Sequence, residues 1–174
     1  MGINPSGHNE AGTETVQLRD VTTTINGVEW SGRVAIEEVL LDLLRTRIRL
    51  TGTKRSCESA VCGACTVLVD GQPISSCAFL AFEIDGRSVV TIEGVGSDAG
   101  LDPLQEAFVR NLGAQCGYCT PGQIMSAKGL LLRSPTPTDE EIREWMSGNI
   151  CRCGCYSAIA TSIREASDAS TERG

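Results

Sequence analysis

The sequence feature that most constrains this chain is a short loop with three cysteines, Cys57-Glu-Ser-Ala-Val-Cys-Gly-Ala-Cys65, followed by Cys77. The spacing C-x4-C-x2-C with a more distant fourth cysteine is typical of plant-type [2Fe–2S] loops. A tight loop brings the thiolates together and aims backbone N–H groups at the sulfurs, and Gly63 suits the unusual backbone angles that this requires. A structural zinc site is the alternative, although zinc sites usually combine two C-x2-C-like halves.

Four more cysteines form a second set in the C-terminal half of the sequence. Cys116-Gly-Tyr-Cys119 lies at the junction of two predicted helices, and Cys151-Arg-Cys153 lies between two others. Helix N-termini present backbone N–H groups and a positive dipole end to an anionic cluster. A C-x2-C pair also occurs in thioredoxin-like dithiols and in zinc sites, so the residues of this half alone leave zinc open as the bound metal.

The charge and the cysteine count exclude several classes of protein. The 15 basic and 22 acidic residues give a net charge of −7, which argues against nucleic acid or an anionic membrane surface as a partner. The nine cysteines are odd in number and stand at metal-ligand spacings, and residues 1–15 lack the features of a signal peptide. No apolar run approaches the roughly 18 residues of a membrane span. We therefore expect a cytoplasmic protein of the reducing cytosol, without a membrane span.

The N-terminal half predicts a small β-rich domain. Asn26-Gly27 between apolar residues is a strong hairpin signal, and Asp70-Gly71 marks a second hairpin. Apolar residues at helical spacing predict a helix over 36–46, while the apolar segment 77–82 fits a helix or a strand equally. Strands are expected at 16–25, 28–34, 66–69, 73–76 and 87–92. With the cysteine loop, these elements predict a β-grasp, ferredoxin-like domain over residues 15–94, after a disordered tail at residues 1–14 that contains His8, which belongs to no motif.

The C-terminal half predicts only helices. A glycine-rich linker starts at Gly94, and Asp102 then caps a helix whose first residue is Pro103. Thr138 and Glu141 form a capping box for a later helix. In chain order, helices are expected from Pro103 to Asn111, from Pro121 to just before Ser134, from Thr138 to Gly148 and from Tyr156 to Ala166. They predict a four-helix bundle over residues 95–168, with a tail at residues 169–174, and an α+β fold class for the chain.

Four segments, taken in their order along the chain, resemble the small, iron–sulfur subunit of the xanthine oxidase family of molybdenum hydroxylases. They are Leu50-Thr-Gly-Thr-Lys54, Cys62-Gly-Ala-Cys-Thr-Val67, Gln115-Cys-Gly-Tyr-Cys-Thr-Pro-Gly122 and Gly148-Asn-Ile-Cys-Arg-Cys153. The resemblance covers roughly residues 15 to 168, and the order of the motifs is highly specific.

The resemblance implies two [2Fe–2S] clusters, each with four cysteine ligands. The cluster nearer the flavin is held in the β-grasp domain by Cys57, Cys62, Cys65 and Cys77. The cluster next to the molybdenum cofactor is held in the helical bundle by Cys116, Cys119, Cys151 and Cys153. Gln115 and Cys119 match residues that also lie against the pterin of that cofactor.

One segment departs from the family pattern. The family usually continues C-R-C-T-G-Y, whereas this chain has Cys153-Gly-Cys-Tyr156. Cys155 is therefore an extra thiol beside the second set. Tyr156 keeps the register of the pattern, so Cys151 and Cys153 stay the assigned ligands and Cys155 is expected not to bind iron.

By the same resemblance, the chain is an electron-transfer subunit of an oxidoreductase and carries no catalytic residue of its own. Substrate is hydroxylated at molybdenum on a large partner subunit, which sets specificity, and electrons pass through the two clusters to FAD on a medium subunit. A dimer of heterotrimers is the expected assembly. The alternatives are a free-standing two-cluster ferredoxin, which has no need of the segment from Gln115 to Gly122, and a zinc-stabilised interaction module, which would be colourless.

Overall fold

A computed structural model describes residues 16–97 and 99–171 of the chain. The expected tail at residues 1–14, with His8, lies outside the described residues, as do residues 172–174. The first two strands, β1 (Leu18–Ile25) and β2 (Val28–Ala35), pair antiparallel. Asn26 and Gly27 join them with positive φ angles of 52° and 80°, as a type I′ turn requires, which confirms the predicted hairpin.

Three more strands complete a mixed sheet: β3 (Thr66–Val69), β4 (Gln72–Ser75) and β5 (Ser88–Val90). The strand order is β2-β1-β5-β3-β4, in which β5 runs parallel to β1 and the other pairs are antiparallel. Asp70 and Gly71 form the predicted turn between β3 and β4, again with positive φ. One face of the sheet covers an aliphatic core that includes Val21, Ile25, Val34, Val67, Val69 and Val89.

The predicted helix over 36–46 is wrong in its first turn. Helical structure begins only at α1 (Leu40–Asp42) and continues as a π-helical turn over Leu43–Arg47. Val39 instead forms a β-bridge with Leu80, and the Leu40 N–H donates to the carbonyl of Phe79 at 2.7 Å. These partners come from the segment 77–82, which is neither a regular helix nor a strand but forms 3₁₀ turns at Ser76–Ala78 and Ala81–Ile84.

Four helices follow, as predicted: α2 (Pro103–Arg110), α3 (Thr120–Arg133), α4 (Asp139–Trp145) and α5 (Tyr156–Thr171). The Asp102 side chain accepts the Leu104 N–H at 3.0 Å and caps α2. The Thr138 N–H donates to the Glu141 carboxylate at 2.7 Å, which confirms the capping box of α4. A 3₁₀ turn over Met146–Gly148 extends α4, and α5 continues past its predicted end at Ala166.

The two halves pack against each other through α3. All four residues of β3 are buried, because the core covers one face and α3 covers the other. A Cβ on Gly129 would lie 2.9 Å from Cδ of Pro73 and 3.4 Å from Cδ2 of Leu68, so α3 approaches β3 and β4 very closely. The architecture is α+β, with a ferredoxin-like sheet followed by a helical bundle, as predicted. Among the described residues, no helix has the length and apolar character of a membrane span.

Candidate metal centres

The first cysteine set lies on the loop before β3, with Cys77 on the 3₁₀ turn after β4. The Ser76 hydroxyl donates to the Cys65 carbonyl at 2.7 Å, and the Cys77 N–H donates to the Cys65 sulfur, so these two buried cysteines lie side by side. Cys57 is exposed and Cys62 is half-buried, and the Cys62 N–H donates to Sγ of Cys57 at 3.4 Å. The four thiols are therefore arranged as two pairs.

The backbone of this loop is built to face an anion. Glu58, Ala60 and Gly63 have positive φ angles of 56°, 58° and 69°. The left-handed conformation costs the two residues with a side chain about 1 kcal/mol each, but it turns N–H groups toward a common concave side. The N–H groups of Ser59 and Cys62 both donate to the Cys57 sulfur.

Cys57 and Cys65, one from each pair of the first set, lie in opposite electrostatic environments. Backbone N–H groups of Ser59 and Cys62 stabilise the thiolate and lower the pKa of Cys57 to about 6. Burial disfavours the charged form and raises the pKa of Cys65 to about 11. Because iron binds thiolates, iron ligation at Cys65 would work against its raised pKa, whereas the lowered pKa of Cys57 favours the thiolate that iron binds.

The second cysteine set lies on two connections of the helical half. Cys116 lies between α2 and α3, Cys119 directly precedes α3, and Cys151 and Cys153 lie between α4 and α5. Gly154, with a φ of 77°, turns the chain from the last of these cysteines into α5. The Cys116 thiol contacts Cys153, and the Cys119 thiol contacts Cys151. This set too consists of two pairs.

Backbone N–H groups also reach the sulfurs of the second set. The Tyr118 N–H lowers the pKa of Cys116. Burial by itself would raise the pKa of Cys151. Hydrogen bonds from the N–H groups of Cys155 and Cys153 help to outweigh this effect, so that the pKa of Cys151 is lowered. Burial, together with the neighbouring Cys151 thiol, raises the pKa of Cys119 to about 12. One sulfur of every pair thus accepts backbone N–H bonds, which are among the determinants of a cluster's reduction potential.

Gln115 and Cys155 lie together at the edge of the second set. The Gln115 side chain is exposed and hydrogen-bonds to the Cys155 thiol. Cys155 is buried, contacts the Cys151 thiol, and has its pKa raised by burial first and by that thiol next. Cys119, the other residue expected against the pterin, is half-buried.

Contacts that sequence reasoning missed connect the two cysteine sets. The Ile150 N–H donates to the Cys62 carbonyl at 2.9 Å. The Tyr118 hydroxyl donates to the carbonyl of Arg55, two residues before Cys57. Tyr118 lies inside a cysteine motif and Ile150 lies directly before one, and this position is the only hint in the sequence that they contribute to the sites. The backbone groups that they contact belong to the other half of the chain, so the sequence could not identify these partners.

The grouping of the thiols into pairs favours an iron–sulfur cluster over a single zinc ion. A structural zinc ion needs four ligands around one centre. A [2Fe–2S] cluster instead takes two protein ligands on each of two irons, which suits thiols arranged in pairs. The residues present therefore fit [2Fe–2S] clusters better than zinc.

Two protein-family models match this sequence. Residues 23–89 match the model described as a 2Fe-2S iron-sulfur cluster binding domain. Residues 91–164 match the model described as a [2Fe-2S] binding domain. Each match contains one of the two cysteine sets.

Two relatives and one solved structure are similar over nearly the whole chain. The nicotine 6-hydroxylase small subunit of Paenarthrobacter nicotinovorans is 47% identical over 147 residues, which cover 84% of this chain and 88% of that subunit. A subunit of the probable xanthine dehydrogenase of Bacillus subtilis (strain 168) is 43% identical over 153 residues, which cover 88% of each chain. A chain in the crystal structure of quinoline 2-oxidoreductase from Pseudomonas putida 86 matches with a TM-score of 0.85 and 42% identity, over 91% of this chain and 98% of that one.

Proposed function

This chain belongs to the iron–sulfur small subunits of the xanthine oxidase family of molybdenum hydroxylases, and from that membership we propose that it relays electrons within such an oxidoreductase. The electrons come from a molybdenum–pterin site on a large partner subunit and leave to FAD on a medium partner subunit. The observation that carries the proposal is the arrangement of eight cysteines as four thiol pairs, two in each half of the chain.

The two halves hold one cluster each in this proposal. The domain over residues 15–94 supplies Cys57, Cys62, Cys65 and Cys77, and the domain over residues 95–168 supplies Cys116, Cys119, Cys151 and Cys153. When bound, a [2Fe–2S] cluster takes up and releases one electron at a time. The chain positions the thiolates, donates N–H bonds to one sulfur of each pair and shields the buried members from water.

An exposed apolar groove next to the second cysteine set supports a partner on that side. It has a volume of about 460 Å³ and is lined by Leu101, Val109 and Leu112, each more than half exposed. Gly117, inside the C-x2-C segment, and Thr120, directly after it, also line the groove. Exposed apolar surface of this kind marks interfaces. Because the groove continues into the Gln115 and Cys119 segment, we assign it to the large molybdenum subunit, in a dimer of heterotrimers.

The first test is the metal content of the purified full chain. We expect about four iron and four sulfide per chain, because each of the two clusters contains two of each. Stoichiometric zinc without sulfide would contradict the proposal.

The second test is the composition of the complex purified through this chain from its native source. Subunits that contain molybdenum and FAD should co-purify. A chain that carries both clusters but no partner subunit would instead be a free-standing ferredoxin-type carrier.

A further inference from the structure

Asn149 lies where the two cysteine sets meet. Its side chain is buried, and its Nδ2 donates to the carbonyl of Gly63 at 3.2 Å and to the carbonyl of Gly122 at 3.3 Å. Both hydrogens of the amide group are thus donated to carbonyls from two different elements. Gly63 lies within the first cysteine loop, and Gly122 lies in the first turn of α3, just after Cys119.

The main chain around Asn149 is held by the same two elements. Its carbonyl accepts a hydrogen bond at 3.2 Å from Nε2 of Gln123, an α3 residue that is only 1% exposed. The next residue, Ile150, donates its N–H to the Cys62 carbonyl. The segment that leads into Cys151 is therefore bonded to α3 and to the first cysteine loop before it reaches its own thiol.

Glycines at two positions make this close approach possible. A Cβ on Gly63 would lie 2.4 Å from Nδ2 of Asn149, and a Cβ on Gly122 would lie 2.1 Å from the carbonyl oxygen of Gly63. Both separations are shorter than any that real Cβ atoms tolerate. Three backbone segments therefore meet around one amide without room for another side chain.

We propose that Asn149 is a positioning residue that fixes the separation and orientation of the two [2Fe–2S] sites, an inference that rests on the proposed function. It acts through the backbones that carry Cys62, Cys119 and Cys151. Electron transfer between two redox centres slows steeply as their separation grows. A buried amide that ties three ligand-bearing segments together therefore controls the rate of transfer between the clusters.

The test compares the full chain with its Asn149→Ala variant, both purified with their clusters and fully reduced. Reduced [2Fe–2S] clusters are paramagnetic, and the dipolar interaction between them splits their EPR signals by an amount that falls with the inverse cube of their separation. We expect both signals to keep their intensity in the variant while the splitting changes. Electron transfer between the clusters after rapid one-electron reduction should slow by roughly 10-fold, the usual order of effect for a residue that supports metal ligands.

Two further variants separate positioning from general destabilisation. Asn111→Ala removes bonds that another asparagine donates to Ala107 and Glu165, at the contact of α2 with α5. It should leave the splitting unchanged. Asn149→Ser retains one hydrogen-bond donor and should give a splitting between those of the wild type and Asn149→Ala. If Asn149→Ala does not fold, the comparison of Asn149→Ser with the wild type tests the positioning role. A splitting and a transfer rate equal to those of the wild type would overturn the inference, whereas a wild-type chain without clusters would overturn the proposed function instead.

Discussion

Cys155, the extra thiol of the second set, has a defined place in the structure. The sequence alone leaves a buried hydrophobe and a half-exposed thiol as equal alternatives, and the side chain is in fact buried, with 6% exposure. It packs within the core of the helical half, together with Ile159 and Ile163. The sulfur pairs of the proposed cluster are complete without it, and its N–H already serves the Cys151 sulfur.

We predict that Cys155→Ala keeps both reduced-state EPR signals, because Cys151 and Cys153 are the proposed ligands. The loss of a small buried side chain should lower the free energy of unfolding by about 1 kcal/mol. Cys151→Ala is the matched control, and it should abolish the second signal. Loss of one signal in the Cys155→Ala variant would show that the ligand assignment is wrong.

At the scale of the elements, the end of α2 combines an unfavourable backbone with an exposed apolar side chain. Leu112 has a φ of 56° and is 75% exposed. Helices often end with a left-handed residue, but it is usually glycine or asparagine. A leucine there costs about 1 kcal/mol or more in backbone energy. Its side chain lines the apolar groove that we propose as the binding surface for the large subunit. In that proposal, the position favours partner binding over the stability of the free chain.

We predict that Leu112→Asn raises the free energy of unfolding by about 1 kcal/mol, because asparagine tolerates the left-handed conformation. The same variant should recover less of the large subunit in co-purification, because it removes apolar surface from the groove. Leu132→Ala, which changes an exposed leucine on α3 outside that groove, should leave recovery unchanged. Full recovery with Leu112→Asn would mean that the partner does not bind there.

At the scale of the whole molecule, the chain combines a buried junction with one exposed cysteine in each set. Cys57 and Cys116 are exposed, whereas Asn149 is buried between the sets. This arrangement suits a relay, which needs a rigid interior between its two sites and access for a partner at each of them. The exposed Gln115 lies at the second set.

We predict that Gln115→Ala leaves both clusters in place but weakens the binding of the molybdenum cofactor in the assembled enzyme by roughly 10-fold. The purified enzyme should therefore retain less molybdenum. The carboxamide both donates and accepts hydrogen bonds, which suits the polar edge of a pterin. Gln72→Ala, an exposed change on β4, is the control and should retain full molybdenum content. Unchanged molybdenum content and turnover in Gln115→Ala would show that this side chain makes no functional contact.

Features that depend on neighbouring residues were determined by the sequence itself. The turn at Asn26 and Gly27, the cap at Asp102 and the capping box of Thr138 all form as predicted. Each depends on the conformational preference or the hydrogen bonds of residues within a few positions of one another. The grouping of the cysteines into two spaced sets is likewise a property of the sequence.

Only the tertiary structure decided the features that depend on partners distant in the sequence. The helix expected over 36–46 starts only at Leu40. The reason is that the Leu40 N–H donates to the carbonyl of Phe79 and that Val39 forms a β-bridge with Leu80. The contact of Asn149 with Gly63 likewise joins residues that only chain docking brings together. Apolar periodicity and motif spacing report on one segment at a time, so they cannot show which distant backbone group satisfies a given donor.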